Sequence, residues 1–185
     1  MNDERAIAAG LARKFEGCSL KPYLCPAGYW TIGWGNRALA NGAAVTAHTP
    51  VITQAYADAL LNSTIAALQI KLRQMVKVPL SAKQEGALLD FQYNLGTAAL
   101  SGSTLLRLLN ARQYSAAADQ LLFWNHMHQN GRLVVSPGLT RRRHAEWLLF
   151  NGLSSPARPP VPAPSPTNST ETLNAASLAR AKELA

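Results

Sequence analysis

The hydrophobic positions along the chain predict a short helix, then a small hairpin, then a long helical stretch. Ile7, Leu11 and Phe15 recur at the spacing of one helix face and predict a helix over 6–15. The next segment, KPYLCPAGYWTIGWG, is rich in residues that favour strands and contains a Pro-Ala-Gly turn. We expect a two-stranded hairpin there, which must pack against the rest of the fold because it is too small to be stable alone.

Helices are predicted for most of the remaining body. Ser81 with Gln84 forms the sequence pattern of a capping box, and Ser103 is a second candidate cap. The predicted helices run from 49 or 53 to 78, from 81 to 96, from 103 to 109, from 115 to 124 and from 139 to 150. These elements predict an α+β fold with a β-containing lobe over about 1–48, a helical lobe over about 49–153 and a cleft between them.

The composition changes abruptly after residue 153. Residues 154–170 read SSPARPPVPAPSPTNST, which is a Pro/Ser/Ala linker that cannot bury a core. Residues 171–185 favour a helix, but their leucines form only a poor apolar stripe. We therefore expect a folded body over 1–153, an extended linker and a helical tail whose role the sequence leaves open.

The charge of the chain indicates an anionic partner. Lys and Arg number 18 against 10 Asp and Glu, which gives a net charge of +8 and an isoelectric point near 9.9. Nucleic acid, a membrane surface and an acidic polymer such as a bacterial wall all fit this balance. Because the chain lacks the ordered motifs of nucleic-acid binders, we do not expect nucleic acid as the partner.

The sequence shows neither a membrane-targeting segment nor a metal-binding pattern. The first fifteen residues contain charged side chains and no apolar run of signal-peptide length, and no segment has the roughly 20 apolar residues of a membrane span. We expect a protein that stays in the cytoplasm until something releases it. Cys18 and Cys25 form neither a CxxC pair nor a zinc-binding pattern, so no metal and no cofactor is implied.

One segment carries a family resemblance. FEGCSLKPYLCPAGYWTIGWGN resembles the active-site segment of phage-type lysozymes (endolysins), glycoside hydrolase family 24. That family spaces its catalytic residues as Glu, eight residues, Asp or Cys, five residues, Thr, and Glu16, Cys25 and Thr31 match all three positions. The resemblance continues through FQYNLGTAALSGSTLL and PGLTRRRHAE, so it covers about 6–152 and not the tail.

The resemblance implies a lysozyme fold and cleavage of the β-1,4 bond between N-acetylmuramic acid and N-acetylglucosamine. Glu16 would protonate the leaving oxygen from a site that partly excludes water, while Cys25 and Thr31 would hold the attacking water. Without the resemblance, Glu16 reads as a solvated carboxylate at a helix end. Direct attack by water gives inversion and attack by a Cys25 thiolate gives retention, and the sequence leaves both open.

Other residues receive weaker roles from the same resemblance. Arg141 or Arg142 is expected to reach the cleft and pair with Glu16 or with substrate, with Arg141 preferred. Tyr93 and Asn94 are expected to contact the glycan. The hairpin tryptophans, Trp30 and Trp34, are expected in the core, and the four histidines at the surface.

The sequence also leaves questions of context open. Cys18 and Cys25 are close enough for a disulfide, although two free thiols fit a cytosolic product better. Because no export signal is present, the resemblance implies release through a holin-type pore and action in the periplasm, followed by host lysis. We expect a monomer, and the tail is a candidate for outer-membrane contact. The alternative is a cationic wall- or membrane-active protein that keeps the fold without the chemistry.

Overall fold

The computed structural model describes residues 3–25, 28–129 and 131–153. Its helices are α1 (Asp3–Phe15), α2 (Gln54–Met75), α3 (Ala82–Leu95), α4 (Thr97–Ser101), α5 (Thr104–Asn110), α6 (Tyr114–Leu121) and α7 (Pro137–Phe150). Its strands are β1 (Ser19–Leu24), β2 (Trp30–Gly33), β3 (His126–Gln129) and β4 (Arg132–Val135), which form the antiparallel pairs β1–β2 and β3–β4. The α+β class is confirmed, whereas the predicted linker and tail lie outside the described residues.

Side-chain caps fix the starts of four helices, among them α7, which Ser136 caps. Ser81 and Gln84 form both hydrogen bonds of the predicted capping box at α3. Ser103 caps α5 as predicted, and Thr53 caps α2 by accepting a hydrogen bond from a backbone N–H in its first turn. The cap at Thr53 selects the later of the two predicted starts for α2. None of the helices in the described ranges is both long and apolar enough to cross a membrane.

Helix α3 is the centre of the helical body. All its residues from 86 to 94 are buried, because α1, α2, α4 and α7 pack around it. A helix that is buried on all sides normally carries apolar residues throughout. Asp90 and Asn94 are therefore exceptions that need internal partners.

Helix α1 packs closely against α3. Its buried face consists of three small side chains, Ala8, Ala9 and Ala12. A Cβ at Gly86 of α3 would lie 2.6 Å from Cγ2 of Ile7, so the approach requires glycine at this position. Helix α1 thus shares the main core with the helical lobe, whereas the sequence placed 1–48 in the β-containing lobe.

The hairpin β1–β2 covers a second, smaller core. Ile32, Val45 and Leu60 form its buried centre, and Trp30 packs against it. Helix α2 joins the two cores because the residue after Leu60 already belongs to the main one. Trp34 packs against the main core and donates from Nε1 to Oδ1 of Asp58 at 3.0 Å. Both tryptophans pack against a core as predicted, but each is only partly buried.

The second hairpin, β3–β4, was not predicted. It connects α6 to α7 and pairs the four residues of each strand in regular antiparallel register. Its Leu133 and Val135 and the neighbouring Phe123 expose more than half of their surface, at 59%, 55% and 69%. Since it lacks a buried face of its own, its apolar pattern carries no alternation that would reveal two strands.

Candidate active site

Glu16 lies where the first helix ends. Its backbone N–H still donates to the carbonyl of Ala12 at 2.8 Å, so the residue continues the last turn of α1. Its side chain is only 8% exposed. Glu16 is therefore sheltered, as expected of a proton donor, and is not the solvated helix-end residue of the alternative interpretation.

Arg142 connects Glu16 to the centre of the molecule. Its Nη1 donates to Oε1 of Glu16 at 2.6 Å, and its Nε and Nη2 donate to the two carboxylate oxygens of Asp90 at 2.9 and 2.8 Å. The arginine side chain is 2% exposed and Asp90 is fully buried. These charge-assisted bonds join α7, α3 and the end of α1.

Arg141 does not occupy this position. It is exposed, and the arginine that pairs with Glu16 is Arg142. The preference for Arg141 as the partner of Glu16 is therefore wrong. Adjacent residues of a helix point about 100° apart, so only one of the two can face the end of α1. A contact between Arg141 and substrate stays a prediction.

The ion pair between Arg142 and Asp90 remains charged despite its burial. Burial alone would raise the pKa of Asp90, but the charge and hydrogen bonds of Arg142 outweigh it and hold that pKa below its usual value. Burial likewise works against the charge of Arg142, and the carboxylates of Asp90 and Glu16 outweigh it, so the pKa of Arg142 is raised. Arg142 is thus a permanent cation beside Glu16.

A second arginine extends the network along α7. Nη2 of Arg143 donates to Oε1 of Glu146 at 2.6 Å and to Oδ1 of Asn94 at 3.0 Å. Arg143, Glu146 and Asn94 are all fully buried. Burial raises the pKa of Glu146 well above its usual value, more than its arginine neighbours lower it.

Tyr93 and Asn94 have internal roles. Tyr93 is 1% exposed and donates its hydroxyl to the backbone carbonyl of Trp34 at 2.6 Å. Asn94 is fully buried and accepts from Arg143. The predicted glycan contacts of these two residues are wrong for this structure, because their polar atoms face the interior and connect α3 to the residue that follows β2 and to α7.

Cys25 and Thr31 lie on one face of the first hairpin. Tyr23 pairs with Thr31 and Leu24 with Trp30, so Cys25 stands opposite Tyr29. The carbonyl of Tyr29 accepts both the backbone N–H of Cys25, at 2.9 Å, and the hydroxyl of Thr31, at 3.0 Å. Both side chains are nearly buried, at 7% and 4% exposure. The hairpin therefore holds them as diagonal neighbours.

Both cysteines are free thiols, which confirms the preferred of the two interpretations. Cys25 is buried, whereas Cys18 is exposed and lies within 3.7 Å of Oε1 of Gln54. The thiol of Cys25 is therefore not bonded to Cys18.

Asp90 and Glu146 are the members of this site that sequence reasoning missed. Each had a signal. Asp90 is a lone acid within an apolar helical run, LLDF, and Glu146 follows Arg143 at the i,i+3 spacing of a helical ion pair.

The arrangement defines the class of protein. A β-hairpin with a small core, a helical body and a sheltered carboxyl at the end of the first helix constitute a lysozyme-type glycosidase. The sequence profile of the family described as phage lysozyme matches residues 13–146, and the chain belongs to that family.

Individual relatives agree with this assignment. The chain is 39% identical to an endolysin of Acyrthosiphon pisum secondary endosymbiont phage 1, over 76% of this chain and 92% of the relative. It is 33% identical to an endolysin of Salmonella phage P22, over 75% and 90% of the two chains. The solved endolysin from Escherichia coli O157:H7 phage FAHEc1 superposes with a TM-score of 0.71 at 28% identity, over 78% of this chain and 90% of that one. The chain is a lysozyme of the endolysin type, a hydrolase that acts on bacterial peptidoglycan.

Proposed function

We propose that the enzyme hydrolyses the β-1,4 bond between N-acetylmuramic acid and N-acetylglucosamine, with Glu16 as the general acid. The observation that carries this role is the placement of the Glu16 carboxyl, which is 8% exposed and anchored through one oxygen only. Within the described residues its Oε2 makes no hydrogen bond, so that oxygen is the one able to deliver a proton to a glycosidic oxygen. Arg142 fixes the other oxygen and with it the direction of the carboxyl.

Cys25 and Thr31 are the residues that we propose to hold the attacking water. The hydroxyl hydrogen of Thr31 is used on the carbonyl of Tyr29, so Oγ1 keeps its lone pairs for a hydrogen from water. The thiol of Cys25 is a second, weaker acceptor on the same face of the hairpin. Two acceptors that bind the hydrogens of one water leave its lone pair free to attack the sugar.

Inversion at the anomeric carbon is the expected stereochemistry of this scheme. Water that attacks from the face opposite to the leaving oxygen inverts the centre, whereas a covalent intermediate on Cys25 retains it. Proton NMR of a chitooligosaccharide or glycan-strand digest, recorded before mutarotation, distinguishes the two. If the first product has the retained configuration, the nucleophile is the Cys25 thiolate and not a held water.

Substitution of Glu16→Gln tests the acid. The amide keeps the size of the side chain and accepts from Arg142, but it has no acidic proton. We expect clearance of outer-membrane-stripped cells to fall by about a hundredfold or more. Asp3→Asn is the matched control because Asp3 is an exposed carboxylate in the first turn of the same helix.

The alternative, a cationic wall-active protein without catalysis, predicts a different result. In that case Glu16→Gln clears cells at the wild-type rate, because the net positive charge of the variant is at least as large as that of the wild-type protein. Mass spectrometry of digested sacculi adds an independent readout. New reducing ends on N-acetylmuramic acid support the proposed bond, and reducing ends on N-acetylglucosamine place the cut elsewhere.

We further propose that the protein acts as a monomer in the periplasm after release through a holin-type pore. All three proposed catalytic residues belong to one chain, so the scheme needs no second copy. For the tail, the proposed role is contact with the outer membrane. Comparing the chain truncated after residue 153 with the full chain on intact cells tests it, since equal activity on intact cells would exclude the tail from membrane passage.

A further inference from the structure

A permanently charged arginine beside a general acid creates an electrostatic conflict. The acid must carry a proton before it can donate one, and a cation in hydrogen-bond contact favours the ionised carboxylate. Arg142 makes that contact with Glu16 at 2.6 Å. The enzyme therefore needs a negative charge that offsets Arg142 from its other side.

Asp90 occupies that side. Its two oxygens bind Nε and Nη2 of Arg142 at 2.9 and 2.8 Å, which leaves only Nη1 for Glu16. This bidentate geometry fixes the plane of the guanidinium as well as offsetting its charge.

Glu146 lies next to Asp90 and is also fully buried. Its Oε1 lies 3.8 Å from Nε of Arg142, the atom that also donates to Asp90 at 2.9 Å, so the two carboxyls are neighbours around one nitrogen. Oε2 of Glu146 receives no hydrogen bond from any donor in the described part of the chain. Two carboxyls in contact are satisfied only when one of them carries a proton, which then bonds to the other. Burial favours the neutral form of Glu146, whereas the ionised form of Asp90 is held by its two bonds to Arg142.

We propose that Glu146 carries a proton at the working pH and donates it to ionised Asp90, and that this pair positions and offsets Arg142 for Glu16. Asp90 is then the positioning residue for Arg142, and protonated Glu146 is the positioning residue for Asp90. The inference rests on the proposed role of Glu16 as the acid.

The surrounding charges fit this assignment. Arg142 and Arg143 face the pair from α7, and Glu16 faces it through Arg142 from the end of α1. Among the other charged groups on these helices, Arg73 pairs with Glu4 and Glu85 at the far end of α3, and Asp119 of α6 accepts a hydrogen bond from Trp147. Helix α4 contains no ionisable residue.

Two matched substitutions test the proposal, since each converts one buried carboxyl into an amide. Glu146→Gln replaces a protonated acid by a neutral donor, so the alkaline limb of the pH–rate profile stays within about 0.2 pH units of wild type. Asp90→Asn removes the negative charge that contacts Arg142, so the limb moves about 0.5–1 pH unit to lower pH. Equal shifts in both variants, or none in Asp90→Asn, would overturn the proposal.

Infrared spectroscopy gives a readout that requires neither activity nor the Asn variant. We expect wild-type protein at neutral pH to show the carbonyl stretch of a buried protonated carboxyl, Glu146→Gln to lack it, and Glu85→Gln to keep it. Absence of the band in wild type overturns the proton assignment. We expect the band to persist in Glu16→Gln, which excludes Glu16 as its source. A fully active Glu16→Gln refutes the proposed acid, whereas an inactive one together with a missing band refutes only this inference.

Discussion

The two parts of the proposed active site are built in opposite ways. The acid half holds Glu16 through Arg142 and Asp90, with charge-assisted bonds of 2.6–2.9 Å that join three helices. The proposed water half holds Cys25 and Thr31 on a two-stranded hairpin, through the carbonyl of Tyr29 that accepts a hydrogen bond from both residues. The first part depends on buried ion pairs between side chains, and the second depends on hydrogen bonds to one backbone carbonyl.

This difference predicts that the enzyme tolerates amino-acid substitutions better in the hairpin than in the charged network. A buried network is strongly destabilised when one of its charged members is lost, because the remaining charges have no partner. The hairpin has its own small core and contributes only neutral groups to the site, so exchanging one of them leaves no charge uncompensated. Cys25, the position at which the family pattern allows Asp or Cys, belongs to this neutral half.

The largest effect is expected from breaking the charged network. Arg142→Met leaves two buried carboxylates without their cation, so the free energy of unfolding should fall by about 3–5 kcal/mol. Arg141→Met is the control, because Arg141 is exposed one residue away and its change should stay within about 0.5 kcal/mol. Urea unfolding of both variants measures the difference. Equal losses would mean that the network adds nothing to stability.

The packing that supports the acid half should be sensitive to a single methyl group. Alanine at Gly86 would place Cβ 2.6 Å from Cγ2 of Ile7, and the overpacking should cost about 1–3 kcal/mol. Gly10, on the same pair of helices, has no atom within 4 Å of such a Cβ. Gly10→Ala should therefore stabilise the protein by about 0.5–1 kcal/mol through helix propensity. Thermal unfolding checks both signs, and a destabilised Gly10→Ala would contradict the packing argument.

The sequence predicted local structure well where local chemistry decides it. The capping box at Ser81 and the cap at Ser103 involve residues three apart, so their pattern is visible in the chain. The hairpin β3–β4 was missed, although Asn130-Gly131 is a strong turn signal, because its strands are short and bury no face.

The predicted site was least accurate where partners are distant in sequence. Asp90 and Arg142 are 52 residues apart, and nothing local indicates which arginine of three turns toward it. Tyr93 and Asn94 were placed at the glycan because the resemblance covers their segment, but the full burial of α3 gives them internal partners instead. Burial on all sides depends on four other helices, and the sequence of α3 alone does not reveal it.

Stability should depend on pH through Glu146. Its folded pKa is raised by burial above the unfolded value of 4.5, so the folded state holds an extra proton between those two pKa values. Stability from this group is complete below pH 4.5 and is lost as pH rises, by at most about 1.4 kcal/mol per pH unit. Glu146→Gln removes the titration, so its stability relative to wild type should increase with pH. Parallel pH–stability curves for the two proteins would refute a raised pKa.

The smallest effect is expected in the hairpin and concerns Thr31. Thr31→Val deletes the hydroxyl that bonds to the carbonyl of Tyr29, and one neutral hydrogen bond contributes about 1 kcal/mol to stability. If Thr31 also holds the water, kcat should fall by about tenfold with KM unchanged, because the lost contact acts only in the transition state. Thr31→Ser keeps the hydroxyl and should restore most of kcat. A rise in KM in both variants would instead place Thr31 in substrate binding, and the hairpin would then not be the water-holding half.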